Sequence, residues 1–156
     1  MSGSIDRVAS AAAEAGIAIE IKRMGESTRT AEEAARQCSC EVDQIVKSLI
    51  FAGKNSGKLY LFLVSGGNKL DVQKAGELAG EELERADPRV VRAETGFAIG
   101  GVSPLGQPDS VRRYADEKLL RFDQVWAAAG AHDAVFAAEP RALIAAARAE
   151  VADITE

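Results

Sequence analysis

The sequence predicts a single mixed α/β domain, on the evidence of its length and of two kinds of hydrophobic periodicity. The 156 residues fall near the usual size of one domain, roughly 100 to 150 residues. Segments with apolar residues at every second position, typical of strands, alternate with segments where apolar residues recur every three or four positions, typical of helices. No repeat, low-complexity tract or linker divides the chain, so we expect residues 1–156 to form one domain.

The first part of the chain predicts a helix, a strand and a second helix. Apolar residues have helical spacing in residues 4–15, and they alternate with polar ones in residues 17–24, as in a half-buried strand. Thr30 and Glu33 then have the spacing of a capping box, at the start of a helix that runs to about Gln37. Capping is one interpretation of Thr30, and contact with a substrate is the other.

The middle of the chain predicts a hairpin followed by a capped helix. Residues 45–52 and 58–64 are apolar runs joined by a polar segment with two glycines, which favours two antiparallel strands. Asp71 is a predicted N-cap for a short helix that ends at Gly80.

The remaining chain predicts short strands and two more helices. We expect a helix at 81–86 that stops before Pro88, because the residue preceding a proline is disfavoured in helices. Pro140 suits the first position of a final helix that runs to about Val151. A helical turn is predicted at 117–122, and strands at 90–93, 111–115, 124–128 and 134–137.

Composition excludes several functional classes. A net charge of −5 argues against coating of long duplex DNA, since each phosphate contact needs a local cation. A short nucleic-acid end remains possible, with Lys22 and Arg23 among the candidate cations. Cys38, Cys40 and a single histidine cannot supply a four-cysteine or a two-cysteine, two-histidine zinc site. Residues 1–7 lack an export signal, and no apolar segment reaches the roughly 20 residues that span a bilayer, so we expect a cytoplasmic protein without membrane contact.

Residues 53–58 resemble a phosphate-binding loop but do not match its motif. The segment is one residue short of the motif and lacks the Ser or Thr that follows the lysine. A strand is predicted after it, whereas such a loop needs a helix N-terminus to hold phosphate. We therefore exclude an ATPase.

A glycine loop is the most informative segment: Gly100, Gly101, Val102, Ser103 and Pro104. Adjacent glycines allow unusual backbone conformations and close approach, and the proline stiffens the exit. Such a loop can direct backbone N–H groups at the negative oxygen that forms when a carbonyl is attacked. Taken alone, the loop is better explained as a tight structural turn.

Two titratable residues also invite a functional interpretation. Strict alternation places Lys47 on the same strand face as Ile45, Leu49 and Phe51. An unpaired buried ammonium is unfavourable, so the side chain should reach an anion or a cavity mouth, unless it extends to water at the strand end. His132 is either a loop residue without a role or a group that exchanges protons near neutral pH.

Together these segments resemble the YbaK/ProX family of free-standing aminoacyl-tRNA deacylases, which is related to the editing insertion domain of bacterial prolyl-tRNA synthetase. The resemblance covers nearly the whole chain with order and spacing kept. Its motifs are residues 27–35, 45–49, 86–88, 95–97, 100–106 and 152–154.

The resemblance implies a mixed, strongly curved β-sheet surrounded by helices, and removal of a wrong amino acid from the 3′ end of a mischarged tRNA. In the family, the lysine matching Lys47 belongs to the active site, and the loop matching residues 100–104 surrounds the scissile ester. No metal or organic cofactor is implied. Substrate contact is implied for Met24, Thr30, Ser48, Phe97 and His132.

Several alternatives remain open within this resemblance. The substrate could be a cysteine, alanine, serine, threonine or small non-protein amino acid ester, with tRNA-Pro as one candidate tRNA. An aminoacyl-tRNA synthetase is a candidate partner. A non-catalytic module that binds a tRNA end or a synthetase, and an esterase for a small metabolite, are the competing functions.

Overall fold

Two β-sheets organise the part of the chain that the computed structural model describes, residues 3–28 and 30–156. Arg29, which belongs to the motif at 27–35, lies outside the described residues. The elements in order are α1 (Ser4–Glu14), β1 (Ile21–Arg23), α2 (Ala31–Cys38), a 3₁₀ turn (Val42–Gln44), β2 (Val46–Gly53), β3 (Leu59–Ser65), α3 (Val72–Ala79), β4 (Leu83–Arg85), α4 (Pro88–Thr95), β5 (Arg112–Asp116), a second 3₁₀ turn (Glu117–Arg121), β6 (Val125–Ala128), β7 (Ala134–Ala138), α5 (Pro140–Ala147) and β8 (Glu150–Ala152).

The larger sheet is mixed, and the smaller one is antiparallel. Five strands lie in the order β4-β2-β3-β5-β8, in which β2 runs antiparallel to both of its neighbours while β3, β5 and β8 are parallel. Three strands form the order β1-β7-β6. A parallel bridge between Ile45 and Trp126 brings the two sheets together. The predicted mixed α/β class is confirmed.

Strand β3 is the centre of the core, because every one of its residues is buried. Leu61 and Leu63 face a cluster that contains α1, Phe97 and the smaller sheet. Phe62 and its neighbours on the opposite face pack against Tyr114 and α3. Burial on both faces explains why this strand has a continuous apolar run instead of an alternating one.

The predicted caps and hairpin are confirmed. The Thr30 hydroxyl accepts a hydrogen bond from Glu33 N at 3.1 Å and starts α2. Asp71 accepts from the amides of Gln73 and Lys74 at 3.0 and 3.1 Å, and Gly80, at φ 84°, ends α3. Strands β2 and β3 pair antiparallel.

Three predictions around the prolines and the chain end are wrong. The helix predicted at 81–86 is strand β4, which pairs with the end of β2. The strand predicted at 90–93 lies in α4, because Asp87 caps that helix and Pro88 occupies its first turn. The final helix ends at Ala147, where Arg148 adopts a left-handed conformation, φ 55°, and the chain continues into β8. The strand predicted at 17–24 is also shorter, Ile21–Arg23.

Within the described ranges, 3–28 and 30–156, no helix combines the length and the apolar character that crossing a bilayer requires.

Candidate active site

A cavity of about 520 Å³ opens between α2, the start of β2 and strand β6. It contains two of the features singled out from the sequence, Lys47 and part of the glycine loop. Its lining residues are Thr28, Thr30, Ala31, Glu32, Ala34, Ile45, Val46, Lys47, Ser48, Leu49, Gly66, Ile99, Gly100, Val102, Trp126, Ala127, Ala128 and Val135.

Lys47 reaches the cavity from β2. As alternation predicted, Leu49 and Phe51 on the same face pack against the cluster around Phe62, whereas the Lys47 ammonium donates a hydrogen bond to the backbone oxygen of Asn68. Burial lowers the pKa of Lys47, and the nearby carboxylates of Glu32 and Asp116 act in the opposite direction. The side chain is thus a partly desolvated cation held at one point by a carbonyl.

A polar network fixes the turn that carries Asn68. The Asn68 amide donates to the buried Asp116 carboxylate at 2.9 Å, which also accepts from Ser65 N at 3.1 Å. Lys118 pairs with Asp43 at 3.0 Å on the same side. Because the Asn68 carbonyl receives Lys47, this network determines where the ammonium lies. This polar network was not predicted from the sequence, although the Gly66–Gly67–Asn68 segment after an apolar strand is a turn signal.

The glycine loop has the conformational features that its sequence predicts. Gly100 has φ 96°, which favours glycine. A Cβ on Gly101 would lie 3.0 Å from Ala131 Cα, so this glycine permits a close backbone contact. The Gly101 N–H donates to Ala98 O at 3.0 Å. Among the described residues, no acceptor is found for the N–H groups of Gly100 and Val102, which both line the cavity.

Ser103 and Pro104 lie behind the cavity and do not line it. Ser103 is fully buried; its hydroxyl accepts from Leu105 N at 3.2 Å, and its carbonyl accepts from Gln107 Nε2 at 2.8 Å. Pro104 lines a different cleft, next to α1. Both residues therefore support the loop at its exit.

Of the five residues with predicted substrate contact, Thr30 and Ser48 line the cavity. The Ser48 hydroxyl is buried without a hydrogen-bond partner among the described residues. The Thr30 hydroxyl is already engaged, since it accepts from Glu33 N and donates to the Glu33 carboxylate at 3.1 Å.

The other three residues, Phe97, Met24 and His132, lie outside the cavity lining. Phe97 is fully buried in the core, so its aromatic ring packs and does not meet solvent. Met24 is tied to Asp133 through its backbone amide at 2.8 Å. His132 has an exposed side chain, and its carbonyl accepts from Thr28 N at 2.8 Å and from the Thr28 hydroxyl at 2.7 Å.

Trp126, Ile99 and Glu32 are among the cavity residues that were not predicted to belong to the site. Trp126, the single tryptophan, lies on β6 with Lys22 Nζ 5.4 Å from the ring centroid. Ile99 is 50% exposed at the rim. The exposure of this isoleucine is a tertiary property that the sequence does not reveal.

No metal site is found in residues 3–28 and 30–156, where three or more His, Cys, Asp or Glu side chains nowhere group closely enough to bind an ion. Burial is the main reason that the pKa of the Cys38 thiol is raised to about 11, and the neighbouring Cys40 acts in the same direction. Both cysteines are therefore protonated thiols near neutral pH, as expected for packing residues.

Comparison with known families places the chain in one of them. A family model described as "Aminoacyl-tRNA editing domain" matches residues 25–146, a range that includes Lys47 and the complete glycine loop. The chain belongs to the aminoacyl-tRNA editing domain family. This editing domain is therefore an aminoacyl-tRNA deacylase, which acts on mischarged tRNA by hydrolysing the ester to the wrong amino acid.

Relatives of the editing domain include free-standing proteins and synthetases. A crystal structure described as a candidate trans-editing enzyme for prolyl tRNA synthetase superimposes with a TM-score of 0.90 at 48% identity, covering 100% of this chain and 99% of that one. EbsC of Enterococcus faecalis, named as a candidate Cys-tRNA(Pro)/Cys-tRNA(Cys) deacylase, is 25% identical over 127 residues, 81% of this chain and 77% of EbsC. The proline–tRNA ligase of Thermosipho melanesiensis is 35% identical over 81 residues, 51% of this chain and 14% of the ligase.

Proposed function

We propose that this editing domain hydrolyses esters of small amino acids at the 3′ end of tRNA through Lys47 and the backbone of residues 100–102. The observation that carries this proposal is a single cavity of about 520 Å³ lined by Lys47, Gly100 and Val102. A partly desolvated cation and backbone donors without an acceptor in the same cavity can bind an anionic tRNA end and stabilise negative charge at a carbonyl.

The attacking group in this proposal is a water molecule. Ser103 is excluded as a nucleophile, because its hydroxyl is fully buried and already hydrogen-bonded. An aminoacyl ester is an activated acyl compound, so holding water and ester in line and stabilising the oxyanion can suffice. We assign the oxyanion contact to the N–H groups of Gly100 and Val102, since the Gly101 N–H is engaged by Ala98.

Lys47 acts in binding and electrostatics. An ammonium has three donors, and one is used by Asn68 O, so two remain for the terminal phosphate or for oxygens of the aminoacyl end. Because the group is partly desolvated, its attraction to an anion is stronger than in bulk water.

The amino-acid side chain would occupy the apolar part of the cavity. Leu49, Ala127, Ala128 and Val135 contribute aliphatic walls, and the unpartnered Ser48 hydroxyl adds one polar group. Small substrates such as the esters of alanine, serine, cysteine or threonine suit this lining. One methyl group changes binding in such a pocket by only about 10- to 200-fold, so residues like Ser48 decide among them.

The terminal adenosine would meet the rim formed by Trp126 and Ile99. Base stacking on an aromatic ring contributes about 1–3 kcal/mol, and Lys22 beside Trp126 supplies a cation for the backbone. We propose tRNA-Pro as the tRNA and a prolyl-tRNA synthetase as the partner, supported by the relatives described for that synthetase. Since tRNA is charged in the cytoplasm, we propose that the protein acts there.

A deacylation panel tests the proposal. Wild-type protein is incubated with tRNA-Pro and with a second tRNA, each charged with proline, alanine, serine, cysteine or threonine, and with the matching free amino-acid esters. We expect hydrolysis of at least one small non-proline ester on tRNA, and a fall of about 100-fold in kcat/KM for Lys47→Ala. Lys58→Ala is the matched control, because Lys58 is an exposed lysine away from the cavity.

The outcomes separate the competing functions. Folded protein that hydrolyses none of the tRNA esters contradicts the deacylase proposal, and tight tRNA binding without turnover would indicate a binding module. Equal rates on free esters and on tRNA esters would indicate a general esterase. Wild-type activity in Lys47→Ala would remove Lys47 from the mechanism while leaving the reaction in place.

A further inference from the structure

Helix α1 contacts the glycine loop at its base, and we infer that Arg7 is a positioning residue that holds this loop in its catalytic conformation. The inference rests on the proposed function and adds a residue to it. Helix α1 spans Ser4–Glu14, which lies before the range 25–146 that the family model matches. No role for Arg7 follows from the cavity itself, since Arg7 does not line it.

The first turns of α1 hydrogen-bond the chain where the loop begins. The Arg7 guanidinium donates through Nη2 to the carbonyl of Thr95 and lies over the Phe97 ring, with its carbon 4.2 Å from the centroid. Ser4 Oγ donates to the carbonyl of Gly96 at 3.1 Å. Three consecutive residues that precede the glycine loop, Thr95, Gly96 and Phe97, are thus held by two side chains of one helix.

Arg7 lies next to the chain on both sides of the glycine loop. A Cβ on Gly96, φ 79°, would lie 2.2 Å from Arg7 Nη1, so the guanidinium fits only because this residue is glycine. At the other end, the Cβ position of Gly106, φ 81°, is 3.4 Å from Arg7 Cγ. A change in the position of Arg7 would therefore affect the chain segments before and after the glycine loop.

A second route connects α1 to Gly101. A Cβ on Gly130 would lie 2.7 Å from the backbone carbon of Ser4, so the start of α1 presses directly on that turn. Ala131, the next residue, is the backbone group that lies 3.0 Å from the Cβ position of Gly101. Helix α1 thus supports the loop at its base through Arg7 and at its tip through the turn at 130–131.

Stability alone does not explain an arginine at this position. Arg7 Nε is buried and has no hydrogen-bond partner among the described residues. An unsatisfied buried donor is unfavourable, so the hydrogen bond to Thr95 O and the contact with the Phe97 ring are offset by a cost that an apolar side chain would not carry. The guanidinium is suited to fixing a carbonyl and an aromatic ring in one geometry, which the donors of Gly100 and Val102 require.

The cleft beside α1 makes a chemical test possible. It has a volume of about 720 Å³ and is lined by Arg7, Pro104, Gly106 and Gln107, among others. Removing the Arg7 side chain opens a space that joins this cleft, so a free guanidinium ion can enter from solvent. Arg148 lines the same cleft, is exposed and pairs with Asp109 instead of the loop, which makes it the matched control.

The experiment compares full-length Arg7→Ala, Arg7→Lys and Arg148→Ala on the best substrate of the deacylation panel. We expect Arg7→Ala to lower kcat about 10- to 100-fold, since small misplacement of catalytic groups has effects of this size, with KM changed less than about 2-fold. Arg7→Lys should retain part of kcat, and millimolar guanidinium chloride should restore part of it in Arg7→Ala but none in Lys47→Ala. Arg148→Ala should match the wild type.

Hydrogen exchange supplies a readout that does not depend on turnover. We expect the amide of Gly101, which donates to Ala98 O, to exchange at least 10-fold faster in Arg7→Ala, while the amides of β3 stay protected. Wild-type kcat in Arg7→Ala, or a rise in KM alone, would overturn the inference. A loss of kcat would also overturn it if guanidinium does not restore activity and exchange is faster throughout the fold.

Failure of the proposed function gives a different pattern. In that case the wild type itself hydrolyses no aminoacyl-tRNA, and exchange alone decides the inference: selectively faster exchange of the Gly101 amide supports it, and unchanged exchange contradicts it. If Arg7→Ala does not fold, Arg7→Lys and Ser4→Ala carry the same measurements.

Discussion

Replacing Asp116 with alanine should both destabilise the fold and release the turn that holds Lys47. The Asp116 carboxylate is 2% exposed and accepts three hydrogen bonds, from Ser65 N at 3.1 Å, Asn68 Nδ2 at 2.9 Å and Lys118 N at 3.0 Å. Alanine leaves these three donors without an acceptor.

The size of the effect follows from these contacts. A hydrogen bond to a charged group contributes about 1.5–3 kcal/mol, but water entering the vacated space recovers part of the loss. Three such bonds, less what water recovers, correspond to a decrease of about 3–5 kcal/mol in the free energy of unfolding. For a domain of this size each kcal/mol lowers Tm by about 2–4 °C, so a decrease of about 6–20 °C is expected.

Denaturant unfolding of three variants provides the measurement. Asp116→Ala should lose the full amount, and Asp116→Asn about half of it, since the amide keeps one acceptor oxygen. Asp123→Ala, at an exposed aspartate, is the control and should stay within about 0.5 kcal/mol of the wild type. At a temperature where Asp116→Ala remains folded, deacylation should still be reduced, because Asn68 no longer fixes Lys47. An unfolding free energy within about 1 kcal/mol of the wild type would refute this account of the network.

Two further predictions concern the hairpin and the loop. Hydrogen bonds from Ser56 and Tyr60 lower the pKa of Glu81 from 4.5 to about 2. The stabilising effect of the Glu81 carboxylate is therefore complete above pH 4.5 and disappears as the pH falls toward 2. The Tm difference between wild type and Glu81→Gln should shrink over this interval, and a constant difference would contradict the prediction. Gly101→Ala should lower stability by about 1–3 kcal/mol and reduce deacylation. Gly57 is the control: its φ is positive, but no atom lies within 4 Å of its Cβ position. Gly57→Ala should therefore lower stability by about 1–2 kcal/mol and keep full activity. Equal deacylation rates in the two variants would show that the Gly101 contact has no catalytic consequence.

Helix starts and the central hairpin were predictable because their determinants are local. The hydroxyl of Thr30 and the carboxylate of Asp71 satisfy amides two or three residues away, and the alternation along β2 depends only on strand geometry. The strand at Leu83–Arg85 was not predictable in this way. Its neighbours favour a helix, but the free edge of β2 offers backbone partners that the local sequence does not reveal.

The same distinction between local and long-range determinants applies to the candidate site. Alternation alone showed that Lys47 needs a polar partner on an apolar face, and the paired glycines alone indicated an unusual backbone. Sequence could not show that the partner is a carbonyl 21 residues away, or that Phe97 is buried while Trp126 lines the cavity.

What the sequence determined by itself is the set of residues with special requirements: a cation on an apolar strand face, glycines with unusual φ, and caps at helix starts. Only the tertiary structure decided which of these requirements are met by the same cavity and which by the core. The physical reason is that hydrogen-bond geometry and side-chain periodicity act between near neighbours in the chain. The walls of a cavity, by contrast, come from α2, β2, β6 and the glycine loop, whose approach depends on the packing of every surface between them.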